Sequence, residues 1–309
     1  MKYLHIIAVL AICSLPYRAA FADPSPQPPR SIADLQLASV SALVMDVESG
    51  ETLYRKHAEV PLPIASVTKL MTAMVVLDSG QPLNEWLTIV GWDRDFGKNT
   101  YSRLRIGSQA TRGELVRIAL MSSENLATNV LAHHHPGGVD AFVAAMNAKA
   151  RSLQMTDTRF IDPAGLSPDN QSTAQDLGRM TAAAFRYDLI RDYSTSYQHV
   201  VQFRNPRYTL PYGNTNPLVA SERWDLQLTK TGYLTEAGRC LVMIARIDAK
   251  PVVMVLLNSL GTRTPLGDAG RVRRWLTTGE GGNVAGAALE YERRVLESLQ
   301  SLDPTAIGG

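Results

Sequence analysis

The chain has 309 residues, 45% of them hydrophobic and 19% charged, with a formal net charge of +2 at neutral pH. This length buries a large core, and the balance excludes a disordered or membrane-spanning chain. Lys2 and Arg18 account for the whole positive surplus and both lie in the first 22 residues, so the remainder is neutral and lacks the clustered base of a nucleic-acid-binding surface.

Residues 1–22, MKYLHIIAVLAICSLPYRAAFA, combine a basic start at Lys2, an apolar run from Ile6 to Leu15 and the small-x-small ending Ala20-Phe21-Ala22. The run is too short to span a bilayer, so the segment reads as a cleaved secretory signal with no transmembrane anchor. Cys13 follows Ile12, where a lipoprotein signal has a small residue, which speaks against lipid attachment. Residues 23–35 form a Pro-rich leader, beginning DPSPQPPR, that holds neither helix nor sheet.

The main domain is expected over residues 36–278. VSALVMDV (40–47) alternates and is β-branched, ESG turns the chain, and ETLYRKH returns, a hairpin pattern. A helix is predicted from about Ser66 to Ser79, with Leu70, Met74 and Leu77 on one stripe and Gly80 as its stop. A mainly helical block follows over about residues 85–187. In it Thr111 and Glu114 form a capping box ahead of LVRIALM, while HPGG and DPAGLSPDN act as punctuation. Then WDLQLTKTGYLT, RCLVMIARI and VVMVLLNS read as three strands at hairpin spacing, closed by the helix PLGDAGRVRRWL. Strands at both ends with helices between imply an α/β (α+β) fold, an antiparallel sheet flanked by helices plus a helical subdomain.

Cys240 is the one cysteine beyond the signal, so no internal disulfide forms and a buried, inert thiol is expected. The tail, residues 279–309, holds a helical stretch with Leu289, Leu296 and Leu299 loosely on one side, and reads as solvated or partner-contacting.

Three local patterns bear on chemistry. Ser66-Val67-Thr68-Lys69 places a hydroxyl and an amine on one helix face, where a neutral Lys69 can take the Ser66 proton. Lowering a lysine pKa by about three units costs roughly 4 kcal/mol, which a second buried positive charge is expected to supply. The plain alternative is a helix-start serine beside a solvated lysine. Ser123-Glu124-Asn125 falls between two helices, where a hydroxyl and an amide relay a proton and hold a substrate amide, or simply cap a helix. Lys230-Thr231-Gly232, followed by Tyr233, suits an edge strand on which the lysine and threonine bind a carboxylate and the glycine lets substrate backbone approach. HHHPGG at His133–His135 lacks the spacing of a helical zinc site, and no glycine-rich phosphate loop is present, so neither metal nor cofactor is expected.

The order S-x-x-K, S-x-N, K-T-G, each in its context, is the set of the penicillin-interacting serine enzymes. With PIASVTKLMTAMVVLD, LMSSENLA, DPAGLSP and KTGYLTEAGRCLVM, residues 36–278 resemble the low-molecular-mass penicillin-binding proteins, the serine D-alanyl-D-alanine peptidases, and most closely the penicillin-binding protein 7/8 endopeptidase group. The resemblance implies a β-lactamase/DD-peptidase-like fold and a cofactor-free, periplasmic hydrolase that cuts D-alanyl bonds of peptidoglycan peptides through an acyl-enzyme. Cross-links between D-alanine and diaminopimelate are its expected substrate, with carboxypeptidase action as the alternative and β-lactam antibiotics as covalent inhibitors.

By the same resemblance, Ser66 is the nucleophile, Lys69 its base and Ser123 the relay to the leaving amine. Asn125 positions Lys69 and the substrate amide, Lys230 adds positive field, Thr231 binds a substrate carboxylate, and the backbone N–H groups of Ser66 and Tyr233 form the oxyanion hole. No E-x-x-x-N element follows the S-x-N motif, so rapid β-lactamase turnover is not expected, and the intact Ser66, Lys69, Ser123 and Lys230 speak against a non-catalytic binding module.

Overall fold

The computed structural model describes residues 35–92, 96 and 100–302. The secretory signal and all but the last residue of the leader lie outside the described residues.

The first hairpin is β1 (Ser41–Asp46) and β2 (Thr52–Lys56), and β1 is buried along its whole length. After β3 (Leu62–Pro63) the chain tightens into a 3-10 turn, Ala65–Thr68, and only then opens into α1 (Lys69–Asp78). The α-helix therefore begins three residues later than the pattern predicts. Ala65 has left-handed backbone (φ 46°), and the turn it starts is squeezed between Gly165 and Gly232, which leaves no room for a wider coil.

The block that follows contains β4 (Trp86–Thr88) paired with β5 (Gln109–Thr111), then α2 (Arg112–Met121), α3 (Asn125–His133) and α4 (Gly138–Ser152). β6 (Gln171–Ser172) pairs with β3 and leads into α5 (Ala174–Ala184) and α6 (Asp188–Thr195). The capping box is half made. Thr111 Oγ1 accepts from Glu114 N at 3.3 Å, but the Glu114 carboxylate turns outward to His199 Nε2 at 2.6 Å.

A second hairpin, β7 (Gln198–Phe203) and β8 (Tyr208–Gly213), was not evident from the sequence pattern. Its first strand, QHVVQF, shows no clean apolar alternation; Val201, Phe203 and Tyr212, with Tyr208 and Leu210 partly buried beside them, anchor the hairpin to the helical layer.

β9 (Asp225–Leu234), β10 (Gly238–Ile247) and β11 (Lys250–Ser259) are the three predicted strands, followed by α7 (Thr264–Thr278) and α8 (Gly286–Leu302). The antiparallel sheet runs β2-β1-β11-β10-β9, which leaves β9 at an edge. Alternation divides its side chains between two cores. Val242, Ile244, Val253 and Val255 face the helical layer, while Leu241, Met243, Met254 and Leu256 pack on Val272 and Trp275 of α7.

The tail is not solvated throughout. Glu292 of α8 pairs with Lys56 at 2.8 Å and His57 at 3.3 Å, and Tyr291 Oη donates to Asn258 Oδ1 at 2.6 Å. Leu299 packs on the core and Ala288 is buried, whereas Leu289 is 46% exposed. The inward face thus follows Ala288, Tyr291, Glu292 and Leu299 rather than the leucine stripe, because polar anchors on β2 and β11 set its rotation. No helix among the described residues is long and apolar enough to cross a membrane.

Candidate active site

Lys69 opens α1 and is fully buried. Its Nζ lies 2.8 Å from Ser66 Oγ, 2.7 Å from Asn125 Oδ1 and 2.6 Å from the carbonyl oxygen of Ala164. Burial, rather than a neighbouring positive charge, is the leading cause that brings its pKa down to about 7; the carboxylates of Asp162 and Glu124 pull the other way. Two of its three neighbours can only accept hydrogen bonds. A neutral amine satisfies all three at once, donating to Asn125 and Ala164 and accepting from the Ser66 hydroxyl.

The Ala164 carbonyl was not legible in the sequence as part of the site. It belongs to the loop that DPAGLSPDN forms around one buried carboxylate. Asp162 Oδ1 accepts from the N–H groups of Ala164, Gly165 and Leu166, and Oδ2 accepts from Ser167 N, at 2.7–3.2 Å. Asn170 fastens the loop to the 3-10 turn by donating to Thr68 Oγ1 at 3.1 Å and to Asp162 O at 2.8 Å. Gly165 (φ 75°) presses so closely on that turn that a Cβ there lies 2.0 Å from Ala65 O. An Asp at the head of a Gly- and Pro-containing loop signals such a turn; which side chain its carbonyls serve is decided by distant packing.

Ser123 stands in the α2–α3 connection with left-handed backbone (φ 59°), a conformation a serine holds only when its surroundings impose it. It is not the helix cap. Glu124 is, accepting from Leu126 N at 3.0 Å, and burial raises the pKa of its carboxyl. Lys230, on β9, reaches across with Nζ 3.0 Å from Ser123 Oγ and 2.8 Å from Thr231 O. Lys230 is fully buried, and burial followed by the charge of Lys69 lowers its pKa well below the ordinary lysine value. Burial thus works against the positive field that the sequence assigns to Lys230.

The Thr231 carbonyl, on the edge strand β9, accepts from Lys230 Nζ. Tyr233 stands two residues further along this strand, and Gly232 between them packs on the 3-10 turn that carries Ser66. Gly232 has a structural use beside the substrate clearance its position suggests. A Cβ there meets Ile64 O and Ser66 N at 3.1 Å, so the missing side chain lets β9 pack closely on the protein's own turn. The Thr231 hydroxyl is 2.6 Å from that of Thr215, a residue just past β8 that no sequence signal marked.

These groups surround one cleft of about 670 Å³, into which Ser66, Ser123, Asn125, Thr231 and Thr215 project. Arg239 and Arg263 line its far wall, and neither was singled out from the sequence. Cys240 lies beneath that wall, buried, with its thiol pushed up to about 11 by burial, as its apolar surroundings predict. The histidine run lies elsewhere: His134 Nε2 contacts Thr88 O at 3.0 Å and the His135 ring packs edge-on against Phe142.

A model of the family described as D-alanyl-D-alanine carboxypeptidase matches residues 25–261. The chain is 45% identical to a D-alanyl-D-alanine endopeptidase of Escherichia coli, over 88% of this chain and 87% of that protein. It is 48% identical to a D-alanyl-D-alanine endopeptidase of Pseudomonas aeruginosa, over 85% of this chain and 86% of that one. Among solved structures it is similar to penicillin-binding protein D2 from Listeria monocytogenes in its ampicillin-bound form, with a TM-score of 0.66, 26% identity, and coverage of 79% of this chain and 98% of that one.

Proposed function

The chain belongs to the D-alanyl-D-alanine carboxypeptidase family and is a hydrolase of that type, and we propose that it is a periplasmic serine DD-endopeptidase that opens D-alanyl–diaminopimelyl cross-links of peptidoglycan. The observation that carries the chemistry is the 2.8 Å contact between Ser66 Oγ and the fully buried Lys69 Nζ, whose burial makes an uncharged amine accessible near neutral pH. The endopeptidase preference is supported by the names of the relatives at 45% and 48% identity. Carboxypeptidase action on D-alanyl-D-alanine ends is the alternative.

In this reading Lys69 takes the Ser66 proton as Oγ attacks the D-alanyl carbonyl. The oxyanion that forms is met by the N–H groups of Ser66 and Tyr233, and losing one such donor typically costs about 3–4 kcal/mol. The C–N bond then breaks. The proton held by Lys69 passes through Ser123 to the leaving amine, and Asn125 keeps Lys69 and the substrate amide in place. Thr231, with Thr215 beside it, takes the carboxylate next to the scissile nitrogen. An arriving carboxylate restores the proton to Lys230, whose burial otherwise disfavours the charge. Water then reverses the sequence and releases the acyl group.

β-Lactams acylate Ser66 in the same way, and release is slow. The carboxylate of the neighbouring loop, Asp162, is occupied by four backbone N–H groups and is not free to activate water.

The deciding experiment digests defined monomeric and cross-linked dimeric muropeptides and reads the products by mass. Dimers converted to monomers support the endopeptidase. Loss of terminal D-alanine from monomers with dimers left whole replaces it with the carboxypeptidase, and rapid multiple turnover of a penicillin replaces both with a β-lactamase.

A further inference from the structure

Thr231, Tyr233, Arg239 and Leu241 lie on one face of the β9–β10 hairpin. The register pairs Thr231 with Leu241 and Tyr233 with Arg239, and side chains alternate along each strand. The Arg239 guanidinium stacks on the Tyr233 ring, Cζ 3.9 Å from the centroid, which holds a long and otherwise mobile side chain against the cleft wall. Arg263, at the start of α7, stands on the same wall. Among the described residues no carboxylate pairs with either arginine, whereas Arg112, Arg117, Arg179 and Arg271 each have one. A fixed positive charge without an acid, inside a concave wall, favours an anionic ligand, and a guanidinium matches a carboxylate in shape.

The spacing limits which anion this is. From Thr231 to Tyr233 the strand advances two residues, roughly 7 Å, so Thr231 and the guanidinium stacked on Tyr233 stand at successive positions along the wall. The cleft thus offers two separated carboxylate anchors. A D-alanine leaving group carries a single carboxylate. The leaving group of a cross-link carries further ones: besides that beside the scissile nitrogen and that of the γ-linked glutamyl residue, one ends the acceptor stem peptide, on the far side of the diaminopimelyl chain.

We propose that Arg239, held against Tyr233, binds the carboxylate that ends the acceptor stem peptide while Thr231 takes the one beside the scissile nitrogen, so that the cleft selects a leaving group with a terminal carboxylate beyond the one next to the scissile bond. This rests on the endopeptidase reading above and adds to it the feature of the cross-link that is recognised.

The test compares steady-state cleavage of a cross-linked muropeptide dimer with that of the same dimer amidated at the acceptor's terminal carboxylate, for the wild-type chain and for Arg239→Gln. Covalent labelling by a fluorescent penicillin reports that each protein keeps a folded site. Amidation is expected to raise KM about tenfold in the wild type with little change in kcat, the loss typical of one charge-assisted hydrogen bond. Arg239→Gln is expected to show the raised KM on both dimers and no preference between them, and Arg239→Lys to keep part of the preference.

A wild type indifferent to amidation overturns the proposal without recourse to any variant, as does an Arg239→Gln protein that keeps the wild-type KM and preference. A wild type labelled by penicillin that cuts neither dimer overturns the endopeptidase reading itself, and this inference falls with it.

Discussion

Lys69 Nζ stands 2.8 Å from Ser66 Oγ, with its remaining directions taken by two pure acceptors, Asn125 Oδ1 and Ala164 O. Replacing Ser66 with alanine is expected to abolish penicillin labelling and lower muropeptide cleavage by a factor on the order of 10³ or more, with the fold intact. Labelling on gels and the far-ultraviolet circular dichroism spectrum check the two halves. An alanine variant that still hydrolyses dimers at the wild-type rate removes Ser66 as nucleophile.

The pH dependence follows from the same amine. Its neutral form is the active one and its pKa is lowered to about 7, so the acylation rate is expected to rise with pH through about 7 and then level off. Between that value and the ordinary 10.5 the unfolded chain holds a proton on Lys69 that the native state does not, so this group makes stability rise with pH over the same window. Asp162 raises the Lys69 pKa. Asp162→Asn is therefore expected to move the acid limb of the acylation profile to lower pH, and stopped-flow acylation from pH 5 to 9 reads the direction. A shift to higher pH contradicts the electrostatic account.

Gly165 has no room for a side chain. With φ at 75° and a Cβ 2.0 Å from Ala65 O, Gly165→Ala must push the loop away from the 3-10 turn and draw the Ala164 carbonyl off Lys69. About 2–4 kcal/mol of lost stability is expected, together with greatly slowed acylation. Thermal unfolding and penicillin labelling measure both, and an unchanged melting temperature argues against the close contact.

Gly232→Ala separates two explanations of that glycine. Its Cβ meets Ile64 O and Ser66 N at 3.1 Å, so the turn must yield by a few tenths of an ångström. Since small misplacements of reacting groups cost up to about 10²-fold, acylation by small β-lactams and cleavage of peptides are both expected to slow. If only bulky substrates suffer, the glycine makes room for substrate after all.

The α8 helix stabilises the domain without entering the cleft. Ending the chain after residue 284 removes the Glu292 pair with Lys56 and the Tyr291 bond to Asn258, and a melting temperature lower by several degrees is expected, with penicillin labelling retained. Complete loss of labelling in a folded truncation contradicts this division of roles.

Local patterns in the chain sufficed for what depends on near neighbours. Alternation over 40–47 and 225–259 specified the strands of the sheet, and S-x-x-K, S-x-N and K-T-G named Ser66, Lys69, Ser123, Asn125, Lys230 and Thr231, which the fold gathers in one cleft. The β7–β8 hairpin escaped because its strands are short, pair in a sheet of their own and, in β7, show no clean apolar alternation. Ala164 O, Thr215, Arg239 and Arg263 escaped because a backbone carbonyl has no residue type to read, and because a threonine or arginine acquires meaning only through what faces it. Burial lowers the Lys69 pKa, and burial is a property of how α1, the Asp162 loop and β9 close on one another. The sequence could supply a serine next to a lysine; only the packed fold could take the water away from that lysine and make its amine a base.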